Sequence, residues 1–145
     1  MNREKTLAIL KPDVVGKQPN EIGDIIQHII RAGLRIAGMK MLKLNQKQAQ
    51  GFYHIHRERP FFDGLTHFMS SSPVIVMVLE GENAVAKNRE IIGATDSKKA
   101  AHGTIRHKYG TDVERNAIHG SDSVENAKIE IAYFFSAEEL IALED

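Results

Sequence analysis

The 145-residue chain contains no cysteine, which excludes a disulfide framework, thiolate metal sites and thiol nucleophiles. It carries no net charge either, because nineteen Lys and Arg balance nineteen Asp and Glu. That balance argues against wholesale electrostatic capture of nucleic acid or an anionic membrane, so any anionic ligand must be held by a local basic cluster. No apolar run approaches the ~20 residues of a membrane-spanning helix. The opening Met1-Asn2-Arg3-Glu4-Lys5 leads into a short apolar stretch without the features of an export signal. Gly16-Lys17 lacks the glycine spacing and the following Ser or Thr of a P-loop. No Gly-rich kinase loop, internal repeat or low-complexity segment occurs. Hydrophobic residues make up 42% and charged residues 26%, enough apolar material for a core without staples. The expectation is one soluble, cytoplasmic domain over residues 1–145.

Apolar periodicity organises the rest. Thr6-Leu7-Ala8-Ile9-Leu10 reads as a buried strand ended by Lys11-Pro12. After Asn20 as a cap, Ile22, Ile25, Ile26, Ile29 and Ile30 recur at helical spacing until Gly33. Residues 34–44 read as a strand that changes phase at Gly38, as a bulge allows. Asn45 opens a short helix towards Tyr53, and another begins at Pro60-Phe61-Phe62. Residues 74–79 are an apolar run suited to a central strand, and residues 83–92 a helix stopped by Gly93. Residues 94–115 lack periodicity, and a connection that long in a compact domain is usually functional. Val124, Ala127, Ile131, Phe134 and Phe135 then mark an amphipathic helix, followed by a short acidic one over residues 137–143.

Chemistry concentrates in Asn116-Ala117-Ile118-His119-Gly120-Ser121-Asp122-Ser123. Asp122 with Glu125 three residues on resembles a capping box, the ordinary reading of a helix start. Glu130, however, falls beside Ala127 and Phe134, at the edge of the stripe to be buried, where a carboxylate wants a partner. His119 can be that partner: a carboxylate on one ring nitrogen fixes the tautomer and frees the other to attack phosphorus. Phosphoryl transfer also needs cations and directed donors around the migrating group. Lys11, Arg89 and Arg106 are candidate cations, with Thr95 and Thr104 as hydroxyl donors. His54 and His56, without a matching partner cluster, are a weak metal signal and read as solvated or supporting residues.

The segment 116–123, together with Ile9-Leu10-Lys11-Pro12-Asp13 and Arg59-Pro60-Phe61-Phe62-Asp63-Gly64-Leu65, resembles the nucleoside diphosphate kinase family. Leu79-Glu80-Gly81, Gly93-Ala94-Thr95, Gly103-Thr104-Ile105-Arg106 and Glu130-Ile131 follow in the family's order. The resemblance implies a ferredoxin-like α/β (α+β) βαββαβ sandwich with a four-stranded antiparallel sheet and extra helices. Strand–helix alternation alone suits parallel βαβ units equally well. It further implies ping-pong transfer of a γ-phosphoryl group between nucleoside triphosphates and diphosphates (ATP, GTP and others) through phosphorylated His119. Glu130 and Ser121 match the residues that orient the ring. Lys11, Tyr53, Arg89, Thr95, Arg106 and Asn116 match those that hold phosphates and sugar, and Phe61 and Val113 the base clamp. Mg2+ bridging the phosphates is the implied cofactor, with no direct protein ligand and Asp122 reaching it through water. The implied assembly is a homo-oligomer, tetramer or hexamer. The family's prolines in the 94–105 loop are here Ser97 and His102, a departure within the segment the resemblance assigns to subunit contacts.

Two other classes fit such a fold: a catalytically silent nucleotide-binding module and a single-stranded nucleic-acid binder. Retention of His119 and Glu130 opposes the first. Zero net charge and the absence of a basic aromatic motif oppose the second.

Overall fold

In a computed structural model, which describes residues 2–143, strand β1 (Arg3–Leu10) is buried continuously from Thr6 to Leu10. Burial on both faces requires cover on both faces. β1 pairs antiparallel with β3 (Val74–Glu82), which is similarly buried. β2 (Arg35–Leu42) flanks β3, and a short β4 (Ile118–Gly120) flanks β1, giving the order β2-β3-β1-β4. All three pairings are antiparallel, so the sheet is the four-stranded antiparallel one implied by the family resemblance.

Alternation of side chains along the two central strands divides the apolar residues between two layers. Leu7, Ile9, Val74, Val76 and Val78 face Ala49, Met69 and Ile131, which come from α3 (Gln46–Phe52), α4 (Phe62–Met69) and α7 (Val124–Phe134). Ala8, Leu10, Ile75, Met77 and Leu79 face the opposite layer. There α1 (Pro12–Val15), α2 (Ile22–Arg31), α5 (Ala84–Ile92) and α6 (Ile105–Tyr109) contribute Val14, Ile25, Ile29, Ala84, Ile92 and Ile105.

Local signals mostly hold. Asn45 and Gln48 form a reciprocal capping box at α3, and the β2–β3 register shifts between Ile36 and Gly38 as a bulge. Gly33 and Gly93 follow α2 and α5 with φ of 93° and 92°, which side chains other than glycine rarely adopt.

Four expectations are corrected. Asn20 does not cap α2; it lies in a 3-10 turn, Pro19–Glu21, and Glu21 occupies the cap position without a side-chain bond. α7 is capped by Ser123, whose Oγ accepts from Asn126 N at 3.0 Å, because Asp122 is one residue too early and instead accepts from Asn126 Nδ2 at 2.6 Å. Residues 94–115 are not one irregular loop, since they hold a 3-10 turn, Ser97–Lys99, as well as α6. Both elements are too short to show periodicity. Over residues 137–143 only Ala137–Glu139 is helical, as a 3-10 turn.

The end of α5 gives a stability test. A Cβ on Gly93 would lie 2.8 Å from Thr104 Cβ, in a backbone conformation already hostile to alanine. Gly93→Ala should therefore destabilise the protein by about 2–4 kcal/mol through strain and overpacking. The measurement is a urea midpoint that falls while the slope of the transition is unchanged.

Candidate active site

His119 occupies the middle of β4, opposite Ile9 of β1. Cross-strand partners share a face, so the imidazole projects into the layer of α3 and α7. The Phe52 and Tyr53 rings approach it edge-on at centroid distances of 5.3 and 6.2 Å. Backbone bonds in the same register run one residue past the strand at each end. Before it, Lys11 N–H donates to Ala117 O at 2.9 Å; after it, Ser121 N–H donates to Leu7 O at 3.1 Å. Behind it, a Cβ on Gly120 would come within 2.7 Å of Ile92 Cδ1 and 2.9 Å of Asn88 Nδ2. Glycine thus lets α5, carrying Arg89, approach the strand beside the histidine.

On the open side, His119 Nε2 lies 2.8 Å from Glu130 Oε1. The same oxygen accepts from Ser121 Oγ–H at 2.8 Å, and Ser121 Oγ accepts from Leu7 N–H at 3.2 Å. The carboxylate is thereby anchored to the central strand through a fully buried hydroxyl. Because a carboxylate only accepts, Nε2 carries the proton and the Nδ1 lone pair is left free. No hydrogen bond engages Nδ1 among the described residues.

His119 and Glu130 open on a cavity of about 470 Å³ also lined by Lys11, Tyr53, Arg89, Thr95, Arg106 and Asn116. Lys11 Nζ donates to Glu114 O and to Asn116 Oδ1, each at 2.9 Å. Burial pushes its ammonium pKa down to about 8, against the opposing pull of Asp13. Arg106 donates to Gly93 O at 3.1 Å and Ile118 O at 2.8 Å. Burial, and then the charge of Arg89, lower the Arg106 pKa to about 10. Burial followed by Glu130 raises the Tyr53 phenol well above its ordinary range. Asn116 Nδ2 donates to Thr95 O at 3.0 Å and Val113 O at 2.9 Å, tying the cavity wall together.

At the mouth, Phe61 and Val113 remain 49% and 57% exposed, large apolar surfaces available to a flat ligand. Asp122 also lines the cavity. Of the expected site residues, Ser121 and Thr104 do not line it, and Ser121 stands behind Glu130. Thr104 is not a ligand donor: its hydroxyl donates to Ala101 O at 2.7 Å and caps α6 by accepting from His107 N–H. His56, read as a solvated or supporting residue, lines the cavity with its ring centroid 5.5 Å from that of Phe61. Phe52, Ile55 and the Glu114 carbonyl were not anticipated, and no spacing in the sequence marks them. Among the described residues no group of three or more His, Asp and Glu is placed to hold a metal by itself.

An antiparallel sheet presenting a carboxylate-held imidazole to three cations belongs to a phosphotransferase that handles nucleotides. Comparison with known proteins specifies the family. The sequence pattern of "Nucleoside diphosphate kinase" matches residues 4–140. The chain is 57% identical to the nucleoside diphosphate kinase of Chlamydia muridarum over 138 residues, 95% of this chain and 96% of the relative. It is 54% identical to that of Desulforapulum autotrophicum, covering 95% and 99%. The Aquifex aeolicus nucleoside diphosphate kinase structure superposes with a TM-score of 0.92 at 47% identity, covering 96% of this chain and 99% of that one. The Halobacterium salinarum enzyme in complex with CDP gives 0.92 at 41%, covering 99% and 95%. The chain belongs to the nucleoside diphosphate kinase family. It transfers the γ-phosphoryl group of a nucleoside triphosphate to a nucleoside diphosphate, by the ping-pong phosphohistidine route general to that family.

The lowered Lys11 pKa makes a signed prediction. Lysine in the unfolded chain titrates near 10.5, so between about pH 8 and 10.5 the unfolded state binds more protons and stability rises with pH. From pH 7 to pH 10, the wild type should gain ~2 kcal/mol relative to Lys11→Met. Urea titrations of both proteins at the two pH values measure the difference.

Proposed function

We propose that His119 is the residue phosphorylated, attacking the γ-phosphorus through Nδ1 while Glu130 holds Nε2–H. The observation that carries this is the 2.8 Å His119–Glu130 bond beside a cavity containing Lys11, Arg89 and Arg106. As the ring bonds to phosphorus, positive charge develops on it. Glu130, itself oriented by Ser121, stabilises that charge without moving. Lys11 and Asn116 hold the sugar and phosphates, Arg89, Arg106 and Thr95 the phosphate oxygens, and Tyr53 closes the wall beside the imidazole. The diphosphate then leaves, and a second one takes the phosphoryl group back by the reverse path.

The donor set suits a hard cation held mainly by the nucleotide. Phosphate oxygens would supply most of its ligands, and Asp122, a cavity carboxylate not bonded to His119, would reach it through water. Mg2+ so placed would neutralise phosphate charge. The protein works as a single domain and as a homo-oligomer, tetramer or hexamer, in the cytoplasm. Edge strand β2 supports assembly by leaving Met39 and Met41 53% and 61% exposed. Ser97, at one of the departures in the 94–105 loop, is buried and donates to Asp112 O at 3.0 Å, so the loop is tied down without proline there.

Incubation with γ-labelled ATP should label the wild type with an acid-labile, alkali-stable phosphate and leave His119→Ala unlabelled. Label that survives acid, or persists in the variant, would remove His119 from the reaction. The base site should discriminate little, because Phe61 and Val113 offer stacking and apolar contact that any base accepts. The relative solved with CDP, a pyrimidine nucleotide, supports that reading. Purine and pyrimidine diphosphates should differ by less than ~100-fold in kcat/KM. A larger ratio in steady-state competition would require a polar base contact, with His56 the nearest candidate.

A further inference from the structure

Immediately before β4 the chain makes a turn that residues other than glycine avoid. Ala117 has φ of 73°, and Ile118 N–H donates across it to Asn116 O at 2.9 Å. A three-residue turn closed in this way with positive φ at its centre is the rare, strained form of γ-turn. Alanine has no intrinsic reason to adopt it, so the surroundings must impose it. Two groups grip the central peptide units. Lys11 N–H donates to Ala117 O at 2.9 Å, and the Asp13 carboxylate accepts Ala117 N–H through Oδ2 at 3.0 Å.

The location matters more than the strain. The turn joins Asn116, which binds Lys11 Nζ inside the cavity, to Ile118 and His119. Relaxing Ala117 would move the Asn116 amide relative to the imidazole. An acidic residue in the first turn of α1 has an ordinary explanation in the helix dipole. α1, however, is only four residues long, and Asp13 is buried, its carboxylate reaching a residue 104 positions away. Its Oδ1 is buried without a hydrogen-bond partner among the described residues. That is a costly placement for a group whose only purpose is to begin a short helix.

We infer that Asp13 is a positioning residue for phosphoryl transfer: its carboxylate locks the strained Ala117 turn that holds Asn116 and His119 in one arrangement. It touches neither nucleotide nor phosphorus and acts through the backbone. The inference rests on the reading of His119 as nucleophile. Burial raises the Asp13 pKa, and Lys11 opposes that rise, in keeping with a carboxylate retained for its geometry.

The test is single-turnover phosphorylation of folded protein by saturating γ-labelled ATP, with urea melts alongside. Asp13→Leu, similar in volume but without an acceptor, should slow labelling by at least ~30-fold, the scale of a misplacement near 1 Å. Asp13→Asn keeps an acceptor oxygen and should restore the rate to within ~5-fold of the parent. Asp13→Leu combined with Ala117→Gly should recover at least ~5-fold over Asp13→Leu, because glycine adopts positive φ without being held there. A loss unconnected with the Ala117 turn would not be rescued there. Labelling of Asp13→Leu at the parental rate overturns the proposal. So does an Asp13→Asn protein as slow as Asp13→Leu, which would mean that charge matters rather than the acceptor. If Asp13→Leu does not fold, the double variant decides alone: it folds and is labelled, or the proposal fails. A wild type labelled elsewhere than His119 defeats the assignment of the nucleophile instead, so the two failures are distinct.

Discussion

Everything in the cavity depends on a three-residue ladder, the pairing of Ala8, Ile9 and Leu10 with Gly120, His119 and Ile118. An edge strand that short gains little from its own hydrogen bonds and must be held from outside. α5 closes on it from behind at Gly120, and α7 holds it in front through Glu130, which accepts from both His119 and Ser121. Asp13 and Lys11 grip the turn that precedes it. The imidazole is therefore fixed by neighbours on all but its cavity side, while one ring nitrogen stays free of protein hydrogen bonds. In the role proposed for His119, such preorganisation would remove the cost of reorienting the ring at each transfer.

The same construction governs the charges. Lys11 and Arg106 are satisfied largely by oxygens that carry no net charge: Glu114 O and Asn116 Oδ1 for one, Gly93 O and Ile118 O for the other. These bonds orient the cations without neutralising them. Burial consequently weakens their hold on their protons, and Arg106 bears the added repulsion of Arg89. If the cavity holds the nucleotide as proposed, a polyphosphate entering it would relieve what the free protein tolerates, so part of the affinity would be stored as unmatched positive charge.

Much of this architecture was legible beforehand, and the reasons are specific. The isoleucines of α2, the apolar run of β3 and the Asn45 cap are local signals, set by spacing or by one side chain reaching its own backbone. β4 was hidden because three residues cannot display alternation and its pairing partner lies more than a hundred positions earlier. α6 was hidden for a similar reason, five residues showing no helical period. Within the site, Glu130 betrayed itself as a carboxylate on the border of an apolar stripe. Asp13 carried no signal of its own in the sequence, and only the fold brought its carboxylate to Ala117 N–H.

By itself the sequence determined the material of the site. Residue type and short-range spacing offered a histidine with a candidate carboxylate partner, three candidate cations and most of the helices that carry them, because those depend on local chemistry, while the family resemblance supplied the expected base contacts. The tertiary structure decided which of these groups meet. Antiparallel rather than parallel pairing, the seat of His119 on an edge strand, the diversion of Thr104 to a helix cap and the arrival of His56 at the cavity wall all follow from contacts between distant segments. Such contacts are set by the joint packing of the whole core around one sheet. No window along the chain contains that information.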